Sequence, residues 1–142
     1  MDYEIRRKKS DLDSTGYMEI GPGKYSGKHW QDGFLFVWED AFGMAEGIVL
    51  KHFKDYDHFE MNDIPKNVGK LIAADWKNAA SSLESADQSE FQTLLNLDAV
   101  FRTHMAAEVS ENKDSIIALL NELARSFEQY YEKEEWVCIL GM

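Results

Sequence analysis

The stretch KDYDHFEMND, residues 54–63, sets Asp55, Asp57, Glu60 and Asp63 around one imidazole, His58, and two aromatic rings, Tyr56 and Phe59. With His52 just upstream, nitrogen and oxygen donors recur within nine residues, which raises metal binding first. A zinc helix of the protease type needs two histidines one turn apart on one face, whereas His52 and His58 are six positions apart. A calcium loop alternates oxygen ligands around a central glycine, and no glycine lies between Lys51 and Val68. The spacing therefore leads us to expect no metal here.

Other combinations meet similar obstacles. His104 and Glu108 in HMAAE share a helix face, but di-iron bundles place a glutamate three residues before each histidine, and none of the four histidines has one. GPGKYSGKH, residues 21–29, has the glycines and lysines of a phosphate loop in the wrong order: Pro22 stands where the first glycine belongs, and His29 where Ser or Thr should coordinate magnesium. No Gly-x-Ser-x-Gly elbow presents a nucleophile. Glu39 and Asp40 adjoin, but neighbours on a helix diverge by about 100°; they could still flank a cleft, and a solvated helix start is the expected reading. Cys138, the single cysteine, lies in apolar WVCIL, the setting of a packed thiol, and it excludes an intramolecular disulfide. The expectation is a chain without catalytic constellation or cofactor.

Charge is more informative. The net charge is −11, and it is uneven: residues 1–70 carry 13 acids and 10 bases, residues 71–142 carry 13 acids and 5 bases. Such a field repels nucleic acid and anionic lipid and accelerates encounter with basic partners. No apolar run, FLFVW and GIVL included, is long enough to cross a bilayer, and RRKK leads into SDLDSTG rather than into the apolar stretch of a secretion signal. A cytoplasmic location is expected, without membrane or nucleic-acid partners.

The elements that must position these groups follow from periodicity. GYMEIG alternates as a half-buried strand does, and GPGKYSGK is turn chemistry. Leu35, Trp38, Phe42, Ala45, Val49 and Phe53 recur at helical spacing, although Phe34, Phe36 and Trp38 also alternate; we expect a strand-like entry turning helical near Glu39. Asn62 or Asp63 caps a helix with Pro65 in its first turn, DQSE at 87–90 is a capping box, and Ser110 or Asn112 caps a last helix. These signals predict helices near 65–84, 88–107 and 113–133, each about 30 Å long. The terminal EWVCILG reads as a strand with GYMEIG as its partner. The expected fold is one domain over 1–142, mainly α (α+β): an antiparallel helical bundle with a small β element made of the N-terminal segment and the C-terminal strand.

The 54–63 segment then joins two helical elements as an exposed connection. Tyr56 is the expected aromatic anchor, Phe59 is expected to be buried, and Asp55, Asp57, His58, Glu60 and Asp63 form a charged rim, with Glu39 and Asp40 as a second patch. The run DGFLFVWEDAFGMAEGIVLKHFKDYDHFEMNDIP and the following LIAADWKNAASSL resemble small acidic immunity proteins, the antidotes of bacterial contact-dependent growth inhibition and other polymorphic toxin systems. The resemblance implies a non-enzymatic protein whose partner is the C-terminal domain of a cognate toxin, often a nuclease with a basic cleft. Alternatives are a regulatory adaptor, or an enzyme of unrecognised type using His58 with nearby carboxylates.

Overall fold

The computed structural model describes residues 1–99 and 105–141. Four strands and five helices follow in order: β1 (Tyr17–Pro22), β2 (Leu35–Trp38), α1 (Glu39–His52), β3 (Met61–Pro65), α2 (Lys66–Leu83), α3 (Phe91–Leu94), α4 (Met105–Glu111), α5 (Lys113–Tyr131) and β4 (Trp136–Leu140). The strands form one antiparallel sheet in the order β2-β1-β4-β3. This overturns the expected helical bundle with a two-part β element: the fold is α+β, and its sheet is a full layer.

The entry 35–38 is a strand that pairs with β1, Tyr17 opposite Trp38 and Ile20 opposite Leu35. Met61–Pro65, which we expected to cap a helix, is also a strand: Asn62 and Ile64 are buried while Met61 is exposed, the period-2 signature. Pro65 ends the strand in an extended conformation (φ −70°, ψ 154°) and serves as N-cap of α2, with no side chain capping it. A proline here marks a strand end as well as a helix start, and that ambiguity hid β3.

One face of the sheet packs on the helices. Met18, Ile20, Leu35, Val37, Ile64, Val137 and Ile139 join Trp76, Leu120, Phe127 and the buried stretch of α1 from Ala41 to Val49 in one core. The fully buried Trp76 donates its indole N–H to the Ala45 carbonyl at 3.0 Å and meets Phe127 edge-on. On the other face Tyr17, Phe34, Phe36, Cys138 and Leu140 lie under Leu12, Tyr25, Trp30 and Trp38 from the N-terminal segments. α1 is thus enclosed nearly all round, which accounts for its weak amphipathic pattern.

The helix expected over 88–107 is interrupted. The capping box at Asp87 and Glu90 forms, but α3 ends at Leu94, and Asn96 turns the chain with φ +51°. That turn lies against α1, where Asn96 Nδ2 donates to the Gly47 carbonyl at 2.7 Å. A Cβ on Gly47 would stand 2.2 Å from the Asn96 carbonyl oxygen, so only glycine admits the contact. His104, half of the HMAAE pair, lies outside the described residues. Its companion Glu108 accepts the Tyr3 hydroxyl at 2.7 Å. Asn112 occupies the N-cap of α5 but bonds back to Glu108 rather than forward into the helix.

Candidate functional site

Glu39 opens α1 and Glu46 follows two turns later, so both carboxylates face the same side of the helix. The chain leaves α1 at Phe53 and folds back, bringing the 55–60 turn alongside that face. Asn62 ties the turn down: its side-chain oxygen accepts the Asp57 N–H at 2.9 Å, and its amide donates to the carbonyls of Asp57, Glu60 and Ile139. Gly141 lets β4 come close from the other side, since a Cβ there would lie 2.1 Å from the His58 carbonyl oxygen.

His58 consequently bridges the two carboxylates. Its Nε2 lies 2.7 Å from Glu39 Oε1, and its Nδ1 is hydrogen-bonded to Glu46 Oε1. Tyr56 donates its hydroxyl to the same Glu46 oxygen at 2.8 Å. Glu46 is only 5% exposed, yet two donors satisfy it. Burial alone lowers the His58 pKa, but the hydrogen bonds and charges of Glu46 and Glu39 outweigh it, and the net direction is upward from 6.5. Burial, with the Glu46 charge behind it, pushes the Tyr56 hydroxyl far above its ordinary range and keeps it protonated.

This arrangement suits a structural cation. Carboxylates accept hydrogen bonds, so both ring nitrogens of His58 must carry protons to meet both partners, and neither keeps a lone pair to take a proton from a substrate. In this form His58 is held by the fold as a hydrogen-bond donor to both carboxylates.

The turn's outward surface differs from expectation. Tyr56 is 7% exposed and committed to Glu46, whereas Phe59 is 69% exposed: the anticipated anchor is buried and the ring expected to be buried stands in solvent. Asp55, Asp57 and Glu60 are exposed around it, the Asp57 carboxylate also accepting the Phe59 N–H at 2.9 Å. Met61, 39% exposed, continues the apolar surface onto β3. Asp63 is half-buried and accepts the Tyr25 N–H at 2.8 Å, which ties it to the 23–34 loop instead of to the rim. Asp40 is half-buried in the first turn of α1. Glu39, one of the two residues of the second candidate patch, is brought to the turn by its bond to His58.

A second cluster escaped sequence reasoning. Glu19 alternates with Met18 and Ile20, as an outward-facing strand residue should, yet it is 3% exposed because the 23–34 loop folds over it. It accepts His29 Nδ1 and the Trp30 N–H, each at 2.6 Å, and Tyr25 Oη lies 3.2 Å from His29 Nε2. Carboxylate, imidazole and hydroxyl stand in the order of a nucleophilic triad, with a phenol in the nucleophile's place. Trp30 adopts φ +58°, a strained conformation for a bulky residue, and stacks on Phe36. We assign the cluster the work of holding that loop. Only the paired His29-Trp30 after a glycine-rich turn hinted at it.

The remaining ionic contacts join elements. Lys51 and His52 both reach Asp75 Oδ2, at 2.9 and 2.8 Å, and tie the end of α1 to α2. Arg6 pairs with Asp2, and Arg7 with Glu122, so part of the basic N-terminal run neutralises acids of the chain itself. Among the described residues, no group of three or more His, Cys, Asp or Glu side chains is arranged to hold a metal ion. No helix among them is long and apolar enough to cross a membrane. No protein-family model, curated protein or solved structure matches the chain.

Proposed function

We propose that this chain is a cytoplasmic antidote that binds a basic surface of a cognate bacterial toxin domain through the 55–61 turn. The observation that carries the proposal is Phe59, 69% exposed on an internally braced turn that also exposes Asp55, Asp57 and Glu60. Leaving a large aromatic in water has a cost that a binding partner removes, and an aromatic anchor within a charged rim is how interfaces concentrate affinity. The net charge of −11 supports a basic partner, such as a cleft that otherwise binds phosphate. The commitment of both His58 nitrogens supports binding over catalysis.

The test is co-expression with the C-terminal fragment of the protein encoded by the gene directly upstream. Co-purification of the two proteins, together with rescue of cells that the toxin domain alone kills, is the expected result. Normal toxicity and no co-purification would overturn the proposal.

A further inference from the structure

The two outer edges of the sheet are treated differently. At β2, the N-terminal segment closes the edge: Arg6 donates its N–H to the Phe36 carbonyl at 2.9 Å, and Phe36 donates to the Arg6 carbonyl at 2.8 Å. At β3 the register decides which backbone groups point outward. Gly141 donates to the Glu60 carbonyl and Lys66 to the Glu135 carbonyl, so alternate residues 60, 62, 64 and 66 face β4. Met61 and Asp63 therefore direct their N–H and C=O groups away from the sheet. Among the described residues, no hydrogen bond occupies these four groups.

We infer that this free edge is the docking strip for an extended, basic segment of the toxin partner, which adds to the sheet as a fifth strand beside β3. The inference rests on the antidote proposal above and specifies how its turn engages. Strand addition supplies main-chain hydrogen bonds for affinity, while neighbouring side chains supply selectivity. Phe59 and Met61 offer the apolar contact at the entrance to the edge, and Asp55, Asp57 and Glu60 supply the charge. Pro65 offers no N–H, so an incoming strand finds only the Met61 and Asp63 positions, which limits its register.

Amide hydrogen exchange on the free chain and on the co-purified complex tests the inference. In the free chain, Met61 and Asp63 amides should exchange fast while Asn62 and Ile64 are protected; in the complex, Met61 and Asp63 should slow by tenfold or more. Met61→Pro, which removes one outward N–H and none that bonds β4, should bind about tenfold more weakly than Met61→Val, which changes the same side chain but keeps the N–H. A complex in which both amides keep their free-chain rates would overturn strand addition and leave the antidote proposal standing. Absence of any complex would overturn the antidote proposal, and strand addition with it.

Discussion

The His58 ring stands edge-on to Phe59, with centroids 4.9 Å apart and planes at 74°. His58 is fastened to α1 through Glu39 and Glu46, so the most exposed aromatic side chain of the acidic turn is oriented by one of its most constrained. A partly buried ionic cluster thus holds a surface apolar group in place. That link from core to surface separates effects on binding from effects on stability.

Phe59→Ala should leave stability within about 0.5 kcal/mol of wild type, because an exposed side chain loses little on truncation. If Phe59 is the anchor, the same change should weaken partner binding by about 2 kcal/mol, roughly thirtyfold. Thermal unfolding and titration calorimetry on the same variant separate the two quantities. A large drop in melting temperature would place Phe59 in the folding core instead.

Tyr56→Phe removes one donor from Glu46 and leaves His58 in place. It should cost about 2 kcal/mol of stability, the worth of a hydrogen bond to a buried charged acceptor. Glu46→Leu should cost more, about 3 kcal/mol, because it strips His58 and Tyr56 of their shared acceptor. Urea denaturation measures both, and equal costs would show that Glu46 does not organise the cluster.

The folded chain holds the His58 proton more tightly than the unfolded chain, where the pKa is near 6.5. The stabilisation from protonated His58 is therefore complete below about pH 6.5 and is lost as pH rises through the higher folded-state value. The groups around the ring are Glu39 and Glu46 from α1, Tyr56 from its own turn through the shared Glu46 oxygen, and the Phe59 ring. The stability gap between wild type and His58→Gln should be largest near pH 6 and close toward pH 9. A gap independent of pH would show that His58 is not a cation in the folded chain. At the acid end Asp75 acts with the opposite sign: Lys51 and His52 lower its pKa against burial, so its contribution is present at neutrality and fades as carboxylates protonate below about pH 4.

Gly47→Ala tests the seat of the Leu95–Asn96 turn on α1. The added methyl meets two backbone carbonyl oxygens, at 2.2 and 2.5 Å, and neither can swing aside as a side chain does. The substitution should destabilise by about 2–3 kcal/mol, although alanine favours helix by about 1 kcal/mol elsewhere. Chemical denaturation checks it, and a neutral or stabilising result would refute the contact.

Local signals reached some of these features and long-range folding hid others. Alternation in GYMEIG and the short apolar run of EWVCILG marked two strands that do pair, Ile20 opposite Ile139, and the change of period near Glu39 marked the passage from β2 into α1. β3 was hidden because its five residues end in a proline that suits a helix start equally well. The break after Leu94 was hidden because Asn96 turns the chain against Gly47, 49 positions away, a contact no local window contains. At the site, KDYDHFEMND drew notice for its residue types, and its tie to Glu39 joined two groups already under suspicion. Glu46 was missed because a lone glutamate inside an apolar helix reads as an interruption until its partners are known. Tyr56 and Phe59 exchanged roles for a similar reason: burial of either ring depends on where α1 lies, and the tyrosine hydroxyl had an acceptor there whereas phenylalanine had nothing to offer it.

The account's central claim is that the 55–61 turn is the face that meets a basic partner. The most direct test is the affinity of the upstream gene's C-terminal product for the wild-type chain and for a variant carrying Phe59→Ala and Glu60→Lys, measured at low and at high salt. The account predicts tight binding that weakens as salt rises, and a loss of at least a hundredfold in the variant while its melting temperature is retained. Equal affinity of the two proteins, unaffected by salt, would contradict it and move the interface elsewhere on the molecule.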